Sequence, residues 1–154
     1  MLRKDYRARI SLFAFTLLLV VVILPFYSRT QLTAVETVEL FFDGWSNHDE
    51  ETMNSLLTKM YLERHQGRVS LSDYLIYVDL ISCREVFYPE AALIYRIEDM
   101  WEEKHVSASC VRAHFEIAYE ENHGSGFDNT SYLFDFYLVK KTPIGPWMIA
   151  AYGQ

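Results

Sequence analysis

The sequence predicts an α+β fold in which N-terminal helices pack on an antiparallel sheet, preceded by one membrane-spanning helix. Three observations predict it. Ile10 to Tyr27 is a run of eighteen residues without a charge. Two short stretches after it place apolar residues three and four apart, the spacing of one helix face. The second half of the chain alternates apolar and polar residues in segments divided by turn residues, the pattern of half-buried strands. Helices first and strands afterwards exclude an alternating parallel architecture. At 154 residues, 51% apolar and 16% aromatic, the chain suffices for one domain with a real core.

Taken in order, residues 1–9 hold Arg3, Lys4, Arg7 and Arg9 against Asp5 and form a basic tail. The run 10–27 covers roughly 27 Å as a helix, near the thickness of a bilayer's hydrocarbon core. No small-residue cleavage site follows in "LPFYSRTQ", so the run reads as an uncleaved signal anchor with the tail cytoplasmic and the domain outside. The alternative is a secreted domain released by signal cleavage. Residues 28–32 are a short polar linker, and 33–154 is the folded domain. The whole chain carries a formal net charge of -7, and the remainder is more acidic still once the basic tail is set aside. Such a surface repels phosphate backbones, and nucleic acid is excluded as a partner.

Thr33-x-x-Glu36 is a capping box, and Val35, Val38, Phe42 and Trp45 form the apolar stripe of the helix it starts. Gly44 and Ser46-Asn47 are expected to end that helix. Asp49 caps a second, with Met53, Leu56, Leu57 and Met60 on its apolar side. Gln66-Gly67-Arg68 breaks the pattern, and Ser70 or Ser72 is placed to cap a further short helix through "DYLIYV". Five strands are then expected, at 80–88, 91–101, 106–120, 131–141 and 146–152. In the third of these Val111, Ala113, Phe115, Ile117 and Tyr119 share a face, opposite Arg112, His114 and Glu116. In the fourth, Tyr132, Phe134, Phe136 and Leu138 oppose Leu133, Asp135, Tyr137 and Val139. Cys83 and Cys110 are open to two readings, a disulfide or buried free thiols. Neither has neighbours at zinc-ligand spacing, and no metal or cofactor is expected.

The helix ending "FFDGW", the corner "SNHD", the pattern Asp49, Met53, Leu56, Leu57, Thr58 and the closing "GPWMIAAYG" together resemble the nuclear transport factor 2-like superfamily, over about Thr33 to Gln154. The resemblance implies a cone: a strongly curved sheet wrapped on helices, with a pocket in its concavity. Trp45, Phe42, Phe115, Tyr132, Phe134 and Phe136 are the residues it assigns to that pocket. Enzymes similar to this cone, such as ketosteroid isomerases, need a carboxylate base and an acidic hydrogen-bond donor there. None of those six is a carboxylate or histidine, so the isomerase residues do not carry over. Asp79 and Tyr77, read as lying near the pocket mouth, and Tyr119 are the polar residues left for catalysis. His114, Glu116, Asp135 and Tyr137 share the opposite face, and members similar to this chain often pair through that surface, so they are the interface candidates.

The function expected is therefore a membrane-tethered extracytoplasmic binding module, holding a small apolar ligand or a protein partner by its pocket or sheet face. A small-molecule isomerase or lyase is the second expectation, and a structural homodimerisation module the third. Fold alone decides between none of them.

Overall fold

The computed structural model describes residues 32–65, 75–89, 92–94, 97, 105–120 and 130–153. The expected anchor at 10–27, the linker up to residue 31 and the Ser70 and Ser72 caps lie outside these residues. Among the described residues no helix is long and apolar enough to cross a membrane.

Leu32–Gln154 is a compact unit of helices on a four-stranded antiparallel sheet. Its first helix, α1 (Ala34–Ser46), begins where expected. The Glu36 amide donates to Thr33 Oγ1 (3.1 Å) and the Thr33 amide donates to Glu36 Oε2 (2.7 Å), so two orphan donors are satisfied reciprocally. The helix ends at Ser46 with Asn47 as its C-cap, as expected of Ser46-Asn47, but it passes through Gly44, which was expected to take part in ending it. A Cβ on Gly44 would stand 3.0 Å from Met53 Cγ and 3.3 Å from the Asp49 carbonyl, so the glycine permits the next helix to approach closely. His48 turns the corner in the left-handed region, at φ 57°.

The expected second helix is split. It forms α2 (Glu50–Ser55), capped by Asp49, and α3 (Lys59–Arg64), capped by Thr58 Oγ1 accepting from the Tyr61 amide. The break has a tertiary cause. Leu57 makes an isolated parallel bridge to Ile149, with Thr58 N–H donating to the Ile149 carbonyl (2.9 Å) and Ile149 N–H to the Leu56 carbonyl (2.8 Å). Those groups serve the last strand and are lost to the helix.

The sheet order is β1 (Leu75–Val86), β2 (Ser107–Tyr119), β3 (Thr130–Lys140) and β4 (Met148–Gly153). Two expectations are corrected here. Leu75 to Val78 opens β1 rather than a helix, as the β-forming side chains of "LIYV" favour. Within 91–101, read as a strand, Ala92–Ile94 and Ile97 are helical. The Pro89 carbonyl accepts from the amides of Ala92 and Leu93, starting a turn, and Leu93 and Ile97 are buried four residues apart.

The inner face of β2 and β3 alternates as the sequence implied: Val111, Ala113, Phe115, Ile117, Phe136 and Leu138 are fully or almost fully buried. Against them lies α1, which runs antiparallel to β1. Ser46 Oγ donates to the Val78 carbonyl (2.6 Å), while Glu39, two turns earlier, stands close enough to act on Cys83. The start of α1 thus lies toward the end of the sheet where β1 finishes.

Candidate functional site

Two regions gather the residues singled out from the sequence: the aromatic interior and the outer face of the sheet. In the interior, Phe42 and Trp45 from α1 meet Phe115 from β2 with ring centroids 5.0 and 5.7 Å apart, and Phe42 meets Phe136 at 5.6 Å. Phe115 contacts Tyr132 and Phe134 at 5.8 and 5.2 Å. All six proposed pocket residues are therefore brought together, as rings packed edge-on, tilted or, for Phe115 and Tyr132, stacked on one another. None of them lines either of the two described cavities. Phe41, which the sequence reading passed over, is central to this cluster, touching Phe42, Trp45, Phe136 and Tyr152. Its signal was available in the i, i+4 spacing of Thr37, Phe41 and Trp45, which widens the stripe beyond the four positions read.

One end of this interior is edged by tyrosines. Tyr61 on α3 stacks on Tyr152 of β4 with ring centroids 5.4 Å apart, and the two hydroxyls share a hydrogen bond. Burial raises the titration of both hydroxyls. Tyr119 is raised too, by burial first and then by Tyr132 and Tyr152. These phenols stay protonated and can donate hydrogen bonds. Tyr61 and Tyr152 escaped the sequence reading because a short helix and a closing strand carry no mutual signal.

The outer face is polar where it is open. Register places Asp79 opposite Glu116, Ser82 opposite His114, and Arg84 opposite Arg112. Arg112 in turn opposes Asp135 and His114 opposes Leu133. Arg112 grips Asp135 with a bidentate fork, Nε to Oδ1 at 2.6 Å and Nη2 to Oδ2 at 2.8 Å. That carboxylate, by hydrogen bond and by charge, holds the guanidinium still more firmly protonated. His114 Nε2 lies 2.6 Å from Ser131 Oγ. Leu133 is 52% exposed among these charges. Three of the four interface candidates, His114, Glu116 and Asp135, share this patch; Tyr137 follows on the same face, opposite Cys110, where the face becomes buried.

The three catalytic candidates are not assembled. Asp79 and Tyr77 sit inside β1, not at a helix-to-strand junction, and register puts them on the outer face with Glu116 and Ala118. Tyr119 is buried on the inner face, opposite Leu75. A sheet separates the groups. The same separation settles the cysteines: Cys83 opposes Ala113 on the inner face, Cys110 opposes Val86 on the outer, and both are free thiols. Among the described residues, no three His, Cys, Asp or Glu side chains converge as metal ligands would.

Residues 35–153 match a known family, described as a domain of unknown function (DUF4829). The chain belongs to the DUF4829 family. No curated protein and no solved structure matches it. The match begins one residue after the first of α1 and ends with β4, so the DUF4829 domain coincides with the compact unit that carries both regions.

Proposed function

We propose that this DUF4829 domain is a noncatalytic interaction module, tethered outside the cytoplasmic membrane by residues 10–27, that pairs with a second copy through the open outer face of β2 and β3. The observation that carries the reading is the Arg112–Asp135 rung. The two residues lie side by side on neighbouring strands, so a two-fold axis parallel to the strands sets Arg112 of each copy over Asp135 of the other. The same operation sets His114 over Leu133 and Glu116 over Ser131, and no pair of like charges meets along β2 and β3. A closed, isologous contact follows from one surface. Exposed Leu133 supplies an apolar centre within a charged rim.

The helix-first order and the closing strand after Trp147 support a further reading of the domain as a nuclear transport factor 2-like cone, whose sheet face serves such pairing. The runner-up function, a small-molecule isomerase or lyase in the cone, is favoured by the protonated Tyr119, Tyr61 and Tyr152 hydroxyls, with Asp79 on the wrong face to act as their base.

Sedimentation equilibrium on Leu32–Gln154, whose described core is its own, tests the pairing. A dimer is expected at concentrations up to ~100 μM, Leu133→Arg is expected to be a monomer, and the double exchange Arg112→Asp with Asp135→Arg is expected to retain the dimer. A monomeric parent domain, or a Leu133→Arg variant that still pairs, overturns the reading.

A further inference from the structure

One end of the sheet collects features that the outer-face pairing leaves unused. Val86 pairs with Cys110, Ser107 with Lys140 and Val139 with Met148, so the end of β1, the start of β2 and the β3–β4 turn form a single rim. Thr33, where the domain begins, belongs to the same end. Ser46 at the end of α1 meets Val78, and Glu39 stands near enough to Cys83 to act on it, so the first turns of the helix lead back toward the Val86 end of β1.

This rim is apolar in an unusual way. Phe87 is 92% exposed and Ile144, at the tip of the β3–β4 turn, is 85% exposed. Val106 lies between them, half exposed. Between α3 and the β3–β4 turn is a cavity of about 420 Å³, lined by Leu57, Leu62, Pro146 and Met148 together with Lys59 and Lys141. Lys140 lies over the Trp147 ring, 4.9 Å from its centroid. Isolated exposed apolar residues are ordinary, but large ones gathered at a rim with lysines and an aromatic ring have the composition of a bilayer interface. Among the described residues the acidic groups near this end are engaged: Glu36 in the Thr33 capping box, Glu63 with Lys59 at 3.4 Å, and Glu85, beside Val86, accepting from Ser109 Oγ.

We infer that this rim rests on a lipid surface, with Phe87 and Ile144 entering the headgroup region and Lys140 and Lys141 facing anionic lipid. The inference rests on the anchor reading, because the five linker residues 28–32 span at most about 17 Å and keep Thr33, hence the rim, within reach of the bilayer that residues 10–27 would cross. Burial of apolar side chains and attraction of each lysine to anionic lipid then act together.

The test uses the full chain reconstituted in vesicles of mixed phosphatidylcholine and phosphatidylglycerol. A spin label is attached at Ile144→Cys or, for comparison, at Tyr77→Cys toward the opposite end of β1, each in a Cys83→Ser background since Cys110 is buried. Both labelled positions are exposed, so folding is not at stake. The ratio of collisions with oxygen to collisions with a water-soluble nickel chelate is expected to be severalfold higher at 144 than at 77. A chain that stays integrated through alkaline carbonate but shows equal ratios overturns the inference alone. A chain that carbonate strips from the vesicles overturns the anchor and the inference together.

Discussion

At His48 a single residue carries the cost of the corner between α1 and α2. An imidazole-bearing residue at φ 57° is strained by its Cβ, which glycine lacks. His48 is exposed, so its side chain has no packing to lose. His48→Gly is expected to stabilise the domain by roughly 0.5–1 kcal/mol, read as a rise in the urea midpoint without a change in slope. No sequence pattern announced this conformation. Histidine is compatible with it but does not specify it, and the angle is imposed by Asp49 N–H reaching back to the Gly44 carbonyl at 2.8 Å. The thiol of Cys83 is a second residue-scale case. Burial, and then Glu39, push it up to about 12, so it is inert near neutral pH although its strand lies at the sheet edge.

Among the elements, the splitting of α2 from α3 shows how a tertiary contact overrides a helical pattern. Met53, Leu56, Leu57 and Met60 satisfy a continuous helix, yet the backbone at Leu56–Thr58 is committed to Ile149. Once the chain leaves the helix there, a new N-terminus needs a cap, and the Thr58 hydroxyl supplies it. Thr58 is also buried, at 3% exposure, so its hydroxyl has no water to replace the lost partner. Thr58→Ala is expected to cost about 1–2 kcal/mol in equilibrium unfolding, whereas Thr58→Ser should keep most of the stability. An unchanged midpoint for Thr58→Ala would show that α3 is held by packing alone. The strand misread at 91–101 has a related origin. Apolar density in "AALIYRI" fits either period, and the deciding fact, burial of Leu93 and Ile97 on one side, is tertiary.

For the molecule as a whole, the buried phenols and Cys83 link stability to alkaline pH. Tyr61, Tyr119 and Tyr152 titrate above their ordinary value of 10.0, and Cys83 above its ordinary 9.0, chiefly because burial disfavours the charged form. With folded values raised, the unfolded chain releases these protons first. Their contribution to stability is whole below about pH 9 and is lost progressively as pH rises toward the folded values. The urea midpoint is expected to fall between about pH 7 and about pH 10.5, and Tyr152→Phe should flatten that fall. At the same scale the two proposed surfaces constrain each other. Copies anchored in one membrane and resting on the same rim share an axis along the membrane normal, and since the rim closes one end of the strands, that axis runs parallel to them. This is the axis that sets Arg112 over Asp135, whereas the perpendicular alternative would point one rim away from the lipid.

The α+β class, the Thr33 capping box, the Asp49 cap and the division of β2 and β3 into an apolar and a polar face were all legible in the sequence, because each depends on spacings of two to four residues along the chain. The DUF4829 domain needed its tertiary structure for everything that joins distant segments. That Phe41 is the hub of the aromatic interior, that Tyr61 finds Tyr152, that Asp79 and Tyr119 are separated by the sheet, and that Phe87 and Ile144 share a rim were decided by strand register and helix direction. Register is set by the packing of whole faces against one another, and a one-residue slip would reverse every such assignment without altering any local pattern.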